Sequence, residues 1–226
     1  MRKIIVAHRG AKSNCYNENT LAAFQNAMNI NADMIELDVR VSKDRIFTVY
    51  HDESLQLRDI RSLTINDIKT LNEEIPTLEE VLMLTKGKIK LDIELKDNIL
   101  IDEFLKLLLK YFSTNNFIIT SFNLKVIKAL KERNSEIEVG LLLDKNNYQD
   151  MIEQIIKLKL FKPDIYVLEY ELMFLNYYKY LDKPIFLWTI NDKTLLKQFI
   201  INNDTVAGII TDYPELALNM RDNFTI

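Results

Sequence analysis

Apolar positions along the chain follow two alternating rhythms. Runs of aliphatic and β-branched residues recur at 3–7, 33–38, 46–50, 88–95, 116–121, 137–143, 164–169, 184–190 and 207–211. Between most of them, apolar residues return every three or four positions, as in Leu21, Phe24 and Met28, or Leu124, Ile127 and Leu130. The first rhythm belongs to strands and the second to amphipathic helices. Thr77 and Glu80 form a capping-box pattern after Pro76, which predicts a helix with Leu78, Val81 and Leu82 on one side.

Strand–helix alternation predicts parallel strands joined by helical crossovers. The stretch from Asp38 to Ile46 is too short for a crossover, which takes about a dozen residues, so 46–50 is read as the antiparallel return arm of a hairpin. Its turn is Ser42-Lys43-Asp44-Arg45. Setting that arm aside leaves eight parallel strands. The predicted fold is α/β, a (β/α)8 TIM barrel with a small hairpin insertion after strand two, and a doubly wound open sheet is the competing arrangement. With 226 residues and no Pro/Gly/Ser-rich linker, residues 1–226 are expected to form a single domain.

Composition narrows the partners. A formal charge of −4, with lysines dispersed among acids, gives no nucleic-acid footprint. No apolar run approaches the ~18 residues of a membrane span, so no membrane anchor is expected. The opening apolar run reaches His8-Arg9 too soon for a signal peptide, and a cytoplasmic location is expected. Cys15 is the one cysteine, which excludes an internal disulfide and leaves no zinc or redox signature.

Polar residues stand where a β/α barrel carries its chemistry, at the C-terminal ends of strands. They are His8-Arg9-Gly10, Glu36-Leu37-Asp38, Asp92-Ile93-Glu94-Leu95-Lys96 and, on the hairpin's return arm, His51-Asp52. Strand alternation puts Glu36 and Asp38 on one face, and Asp92, Glu94 and Lys96 on one face. In a barrel covered by helices that face is the lumen. Carboxylates crowded at low dielectric require a compensating cation, and oxygen ligands suit a hard divalent ion, Mg2+ or Ca2+. The chain's two histidines, His8 and His51, both follow apolar runs at this rim and have the makings of an acid–base couple. Arg9 adds a planar cation suited to phosphate, and Lys96 a second positive charge.

In their order and spacing these residues resemble the glycerophosphodiester phosphodiesterase family from end to end. The resemblance is carried by Ala7-His8-Arg9-Gly10, Glu18-Asn19-Thr20, Ile35-Glu36-Leu37-Asp38-Val39, His51-Asp52, Ile93-Glu94-Leu95-Lys96, Ser121-Phe122, Trp188-Thr189-Ile190-Asn191 and Gly208-Ile209-Ile210-Thr211-Asp212-Tyr213-Pro214. It implies His8 and His51 as the catalytic pair, Glu36, Asp38 and Glu94 as ligands of one Mg2+ or Ca2+ ion, and Arg9 and Lys96 as phosphate contacts. Trp188 is read either as a substrate-lining aromatic or as packing. The implied reaction is cleavage of a small glycerophosphodiester to sn-glycerol 3-phosphate and an alcohol. Oligomeric state is left open.

The sequence departs from the family's pattern at Asn17, where a proline is usual, at Arg45, where a turn glycine is usual, and in Glu53-Ser54-Leu55-Gln56-Leu57-Arg58-Asp59, which replaces an Arg-Thr-Thr stretch. Residues 53–76 are expected to overhang the site. They contain no Trp, Tyr or Phe, which favours a soluble substrate over the alternative of a lysophospholipase D-like or phospholipase C-like enzyme acting on lipids. Glu18 and Asn19 are read either as site residues or as a helix start, and Asp212 and Pro214 as the end of strand eight and the start of the last helix.

Overall fold

The computed structural model describes residues 2–98, 100–157, 162–175 and 177–224. Its strands are β1 (Ile4–Ala7), β2 (Met34–Val41), β3 (Phe47–Val49), β4 (Ser54–Leu55), β5 (Arg58–Asp59), β6 (Lys90–Leu95), β7 (Phe117–Ser121), β8 (Glu138–Leu143), β9 (Ile165–Glu169), β10 (Ile185–Trp188) and β11 (Val206–Thr211). Its helices are α1 (Leu21–Asn29), α2 (Ile65–Leu71), α3 (Leu78–Thr85), α4 (Ile101–Tyr111), α5 (Leu124–Arg133), α6 (Tyr148–Lys157), α7 (Lys193–Ile201) and α8 (Pro214–Phe224).

Strands β1, β2 and β6 to β11 pair in parallel around a ring, and the β1–β2 pairing closes it. The open doubly wound sheet is thereby excluded, and the (β/α)8 expectation stands. β3 pairs antiparallel to β2 across the Ser42–Arg45 turn, with Val39 opposite Val49. Arg45 takes a φ of +64°, the left-handed conformation for which glycine is ordinarily used. The crossover from β9 to β10 departs from the helical rhythm, passing through 3-10 segments at Tyr170–Leu175 and Tyr177–Tyr180.

Alternation along the strands separates two apolar regions. On β2, Ile35, Leu37 and Val39 point outward into the main core between barrel and helices. Met34 faces inward, joining Val6, Ile118, Leu142, Ile165, Val167, Phe186 and Ile210 in a plug inside the barrel. Glu36 and Asp38 continue that inward row toward the C-terminal mouth, so the lumen is apolar below and acidic above. At the opposite end, the buried Arg221 of α8 pairs with Asp33 and donates to the Lys3 carbonyl, locking the last helix under the barrel.

Residues 53–76 build a small unit of their own. Leu55, Ile60, Leu63, Ile68 and Ile75 form a separate apolar cluster beneath the β4–β5 hairpin and α2. The chain then enters α3 through the predicted capping box: Thr77 Oγ1 accepts from the Glu80 N–H, and the Glu80 carboxylate accepts from the Thr77 N–H. Replacing such a cap typically costs ~1 kcal/mol. Thr77→Ala should lower the unfolding free energy in urea by about that amount, and an unchanged denaturation midpoint would contradict the capping role.

Candidate active site

The mouth begins with a sharp turn after β1. Arg9 and Gly10 both take left-handed φ, +54° and +85°. A Cβ on Gly10 would lie 2.9 Å from the Ala23 backbone, so glycine is required by conformation and by space. The turn points the Arg9 N–H at Glu36 Oε2 (2.8 Å), a hydrogen bond that offsets its cost.

Adjacent parallel strands bring the acids together. The β2–β6 register sets Glu36 beside Asp92 and Asp38 beside Glu94. All four are buried. Oxygen atoms of Glu36, Asp38 and Glu94 come within 4.8 Å of one another, the expected trio. Burial, then repulsion from Asp38, Asp92 and Glu94, drives the Glu36 pKa well above the ordinary range. Burial likewise pushes Glu94 and Asp92 up to about 7. Burial acts in the same direction on Asp38, but Lys96, Arg9 and a hydrogen bond from Asn19 outweigh it and hold Asp38 at about 2.

Both expected phosphate contacts border this cluster. Lys96 Nζ lies 2.9 Å from Asp38 Oδ1 and 2.7 Å from Glu94 Oε1. Arg9 Nη1 bonds Glu18 (2.6 Å), and its Nε sits 3.2 Å from Asp38 Oδ2. Two cations against four lumen carboxyls leave an excess of negative charge that one divalent ion would balance. The donor set is all carboxylate oxygen and matches Mg2+ or Ca2+ better than zinc.

His8 and His51 line the same cavity as Arg9, Glu36, Glu94, Lys96 and Trp188. His8 Nδ1 lies 2.7 Å from Asp212 Oδ1, and its Nε2 is 4.0 Å from Glu36 Oε2. Although burial works against it, the Asp212 carboxylate is held at about 2 by His8, Lys12 and Asn191. An ionised carboxylate only accepts, so Nδ1 carries the proton of this hydrogen bond, which turns Nε2 toward Glu36. Asn191 clamps Asp212 twice: Nδ2 donates to Oδ2 (2.7 Å), and Oδ1 accepts from the Asp212 N–H (3.0 Å). His51 Nδ1 lies 2.8 Å from Asp52 Oδ1, and burial lowers the His51 pKa despite the nearby Asp38 and Asp52. Its backbone carbonyl accepts from Arg40 Nε (2.8 Å), which ties the hairpin arm to β2.

Trp188 combines both of its sequence readings. Its Nε1–H donates to the Val167 carbonyl (3.1 Å) and its ring meets Phe122 edge-on at 5.7 Å, while it forms part of the cavity wall. Asn19 and Glu18 are more than a helix start, since Asn19 Nδ2 donates to Asp38 Oδ2 (2.8 Å) and Glu18 bridges Arg9 and Lys12. Thr20 is the N-cap. The segment 53–76 stands beside the cavity and contributes none of its lining. Sequence reading missed the Asp212–His8 contact and the lumen pair Asp92–Thr120; a carboxylate at a strand's C-terminal end was the available signal for the first.

Fold and rim define a class, the β/α barrels whose C-terminal mouth gathers histidines and an acidic cluster. Residues 8–216 match the Glycerophosphoryl diester phosphodiesterase family, and the chain belongs to that family. A glycerophosphodiester phosphodiesterase of Caldanaerobacter subterraneus subsp. tengcongensis is 30% identical over 246 residues, covering 97% of this chain and 98% of that protein. The crystal structure of a glycerophosphodiester phosphodiesterase from Thermotoga maritima is 32% identical, with a TM-score of 0.81 over 98% of this chain and 99% of that one. An Oleispira antarctica phosphodiesterase, solved with the product sn-glycerol-3-phosphate, shares the fold at 22% identity, TM-score 0.78 and 96% coverage of each chain. Among the described residues, no helix is long and apolar enough to cross a membrane.

Raised carboxyl pKa values have a stability consequence. The metal-free folded state keeps protons on Glu36, Asp92 and Glu94 that the unfolded chain releases near pH ~4. Their contribution is complete below that pH and is lost as pH rises through about 7. Of the depressed groups, Asp38 and Asp212 act only as pH falls toward about 2, outside this window, while His51, lowered by burial, acts inside it in the opposite sense, one group against three. Metal-free protein should therefore melt at a lower temperature at pH 8 than at pH 5, and Mg2+ or Ca2+ should raise the melting temperature more at pH 8. Equal shifts by differential scanning fluorimetry would contradict this.

Proposed function

We propose that the chain hydrolyses glycerophosphodiesters to sn-glycerol 3-phosphate and an alcohol, using one divalent ion, Mg2+ or Ca2+, with His8 and His51 as the acid–base pair. The observation that carries this reading is the meeting of both histidines of the chain in one cavity with Glu36 and Glu94, which cluster with the buried Asp38. Family membership and the names of the relatives support it.

Glu36, Asp38 and Glu94 would hold the ion, which supplies charge neutralisation for the phosphate and for the negative charge that builds on its oxygens. Lys96 and Arg9 add fixed positive charge beside it. His8, oriented through Nδ1 by Asp212, takes a proton at Nε2 from the attacking oxygen, either water or the neighbouring hydroxyl of the glycerol group. His51, on the more open side of the rim with 39% of its side chain exposed, returns a proton to the departing alkoxide. A lowered pKa makes its protonated form the stronger acid. Phe122, Leu142, Trp188 and Ile210 supply an apolar wall for the carbon skeleton.

Phosphorus NMR of glycerophosphocholine digests tests the reaction. Glycerol 3-phosphate should appear, a chelator should abolish its formation, and Mg2+ or Ca2+ should restore it. Glu36→Gln, Asp38→Asn and Glu94→Gln should each lower kcat by at least ~100-fold, roughly 3 kcal/mol of transition-state stabilisation. Full turnover without metal, or phosphocholine as the product, would refute the scheme. A higher kcat/KM for micellar lysophosphatidylcholine would move the assignment to the lipid substrate.

The histidines separate by leaving group. An alkoxide needs a proton, whereas nitrophenolate leaves without one. His51→Ala should therefore lose ~100-fold or more on glycerophosphocholine and much less on a nitrophenyl ester, while His8→Ala falls on both. Equal losses on both substrates for both variants, with metal binding intact, would rule out the division of labour.

A further inference from the structure

The lumen contains one carboxyl more than the ion-binding trio uses. Asp92 lies two residues before Glu94 on β6, is 1% exposed, and still forms part of the cavity lining. It stands apart from the cluster of Glu36, Asp38 and Glu94 oxygens. Its carboxyl is aligned from the next strand, where Thr120 Oγ1 donates to Asp92 Oδ1 at 2.8 Å. Thr120 is itself held in place: a Cβ on Gly140, its partner on β8, would fall 2.8 Å from the Thr120 methyl, so glycine there makes room for this rotamer.

A buried polar group costs free energy unless it is satisfied, and a fourth carboxyl among three is costlier than an apolar side chain of similar size. Its neighbours in the lining are Glu36, its register partner on β2, and Leu142 and Ile210 from the plug that fills the barrel. A carboxyl aligned by Thr120 between the trio and that apolar floor has the chemistry of a hydroxyl acceptor. Along β6 it lies roughly 6.5 Å below Glu94, level with Glu36 and one layer below Asp38, a span comparable to a three-carbon chain running down from a phosphate held near Asp38 and Glu94. Thr120 satisfies one carboxyl oxygen, and the other can accept from a ligand hydroxyl.

Resting on the glycerophosphodiester reading above, we propose that Asp92, aligned by Thr120, is a specificity-determining residue that accepts a hydrogen bond from a free hydroxyl of the glycerol group. The pocket then selects a hydroxylated three-carbon chain against an alkyl chain of the same length. A site built to hydrogen-bond a hydroxyl discriminates strongly, because the ligand lacking it leaves a buried polar group unpaired.

Calorimetric titration of the metal-loaded protein with sn-glycerol 3-phosphate and with propyl phosphate tests this without using turnover. The wild type should bind glycerol 3-phosphate at least ~30-fold more tightly. Asp92→Leu should bring the two affinities within ~3-fold by weakening glycerol 3-phosphate alone, and Asp92→Asn should retain part of the preference. Thr120→Val, an isosteric change that keeps the carboxyl, should cost glycerol 3-phosphate about 5-fold and leave propyl phosphate unchanged; it carries the test if Asp92→Leu does not fold. Undiminished preference in both Asp92→Leu and Thr120→Val, equal weakening of both ligands, or loss of metal affinity in Asp92→Asn would overturn the proposal. Wild-type protein that binds the two ligands equally would overturn it as well. Because the reaction itself is judged by glycerol 3-phosphate release, failure here is distinguishable from failure of the underlying reading.

Discussion

Negative charge crowded into a low-dielectric lumen is the constraint around which this molecule is arranged. Strands β2 and β6 run parallel and in register, both faces are covered, and their inward rows deliver Glu36, Asp38, Asp92 and Glu94 to one small volume. Such a group of acids is stable only with protons, fixed cations or a metal ion. The first two answers are legible in the site. Lys96 and Arg9 flank Asp38 and keep it ionised, while Glu36, Asp92 and Glu94, deeper in the field of their neighbours, hold protons more tightly. A divalent ion on the trio would replace those protons, coupling metal binding to pH and to folding.

The same field explains how strictly the rim is braced. The left-handed Arg9-Gly10 turn exists to aim an N–H at Glu36, and Asn19 takes a φ of +55° while hydrogen-bonding Asp38. Arg9, Glu18, Lys12 and Asp212 alternate in charge from the carboxylate trio to His8. The Arg9–Asp38 link is buried, and those through Glu18 and Lys12 are partly exposed pairs of modest individual worth. The chain ends on the carboxylate that orients His8 through Nδ1. Asn191, at the end of the seventh barrel strand, holds Asp212 from the side away from solvent-facing Lys12.

The hairpin arm is positioned by different means. β3 is short, and Arg40 and the Tyr50 N–H fasten its exit to β2, which keeps His51 at the rim. The unit that follows packs on its own apolar cluster and begins with a β-hairpin whose tip, Gln56-Leu57, takes left-handed φ at both residues. That is the twist a two-residue hairpin needs, adopted here without glycine or asparagine. Leu57 is fully exposed there, and no residue of the unit lines the cavity.

The periodicity of apolar residues determined the strands, the outer helices, the hairpin at Ser42–Arg45 and the capped start of α3, because these depend on neighbours a few positions away. Alternation likewise determined which side of β2 and β6 carries the acids, and the placement of both histidines at strand exits marked the reactive rim. Only the tertiary structure decided the partnerships: Asp212 with His8 across 204 positions, Thr120 with Asp92, Asn19 with Asp38, and the 3-10 crossover in place of a helix between β9 and β10. Those contacts are created by barrel closure and inter-strand register, which bring together residues with no local signature of belonging together. Spacing within one strand can state which face a side chain takes, but which distant group meets it there is set by packing the whole ring.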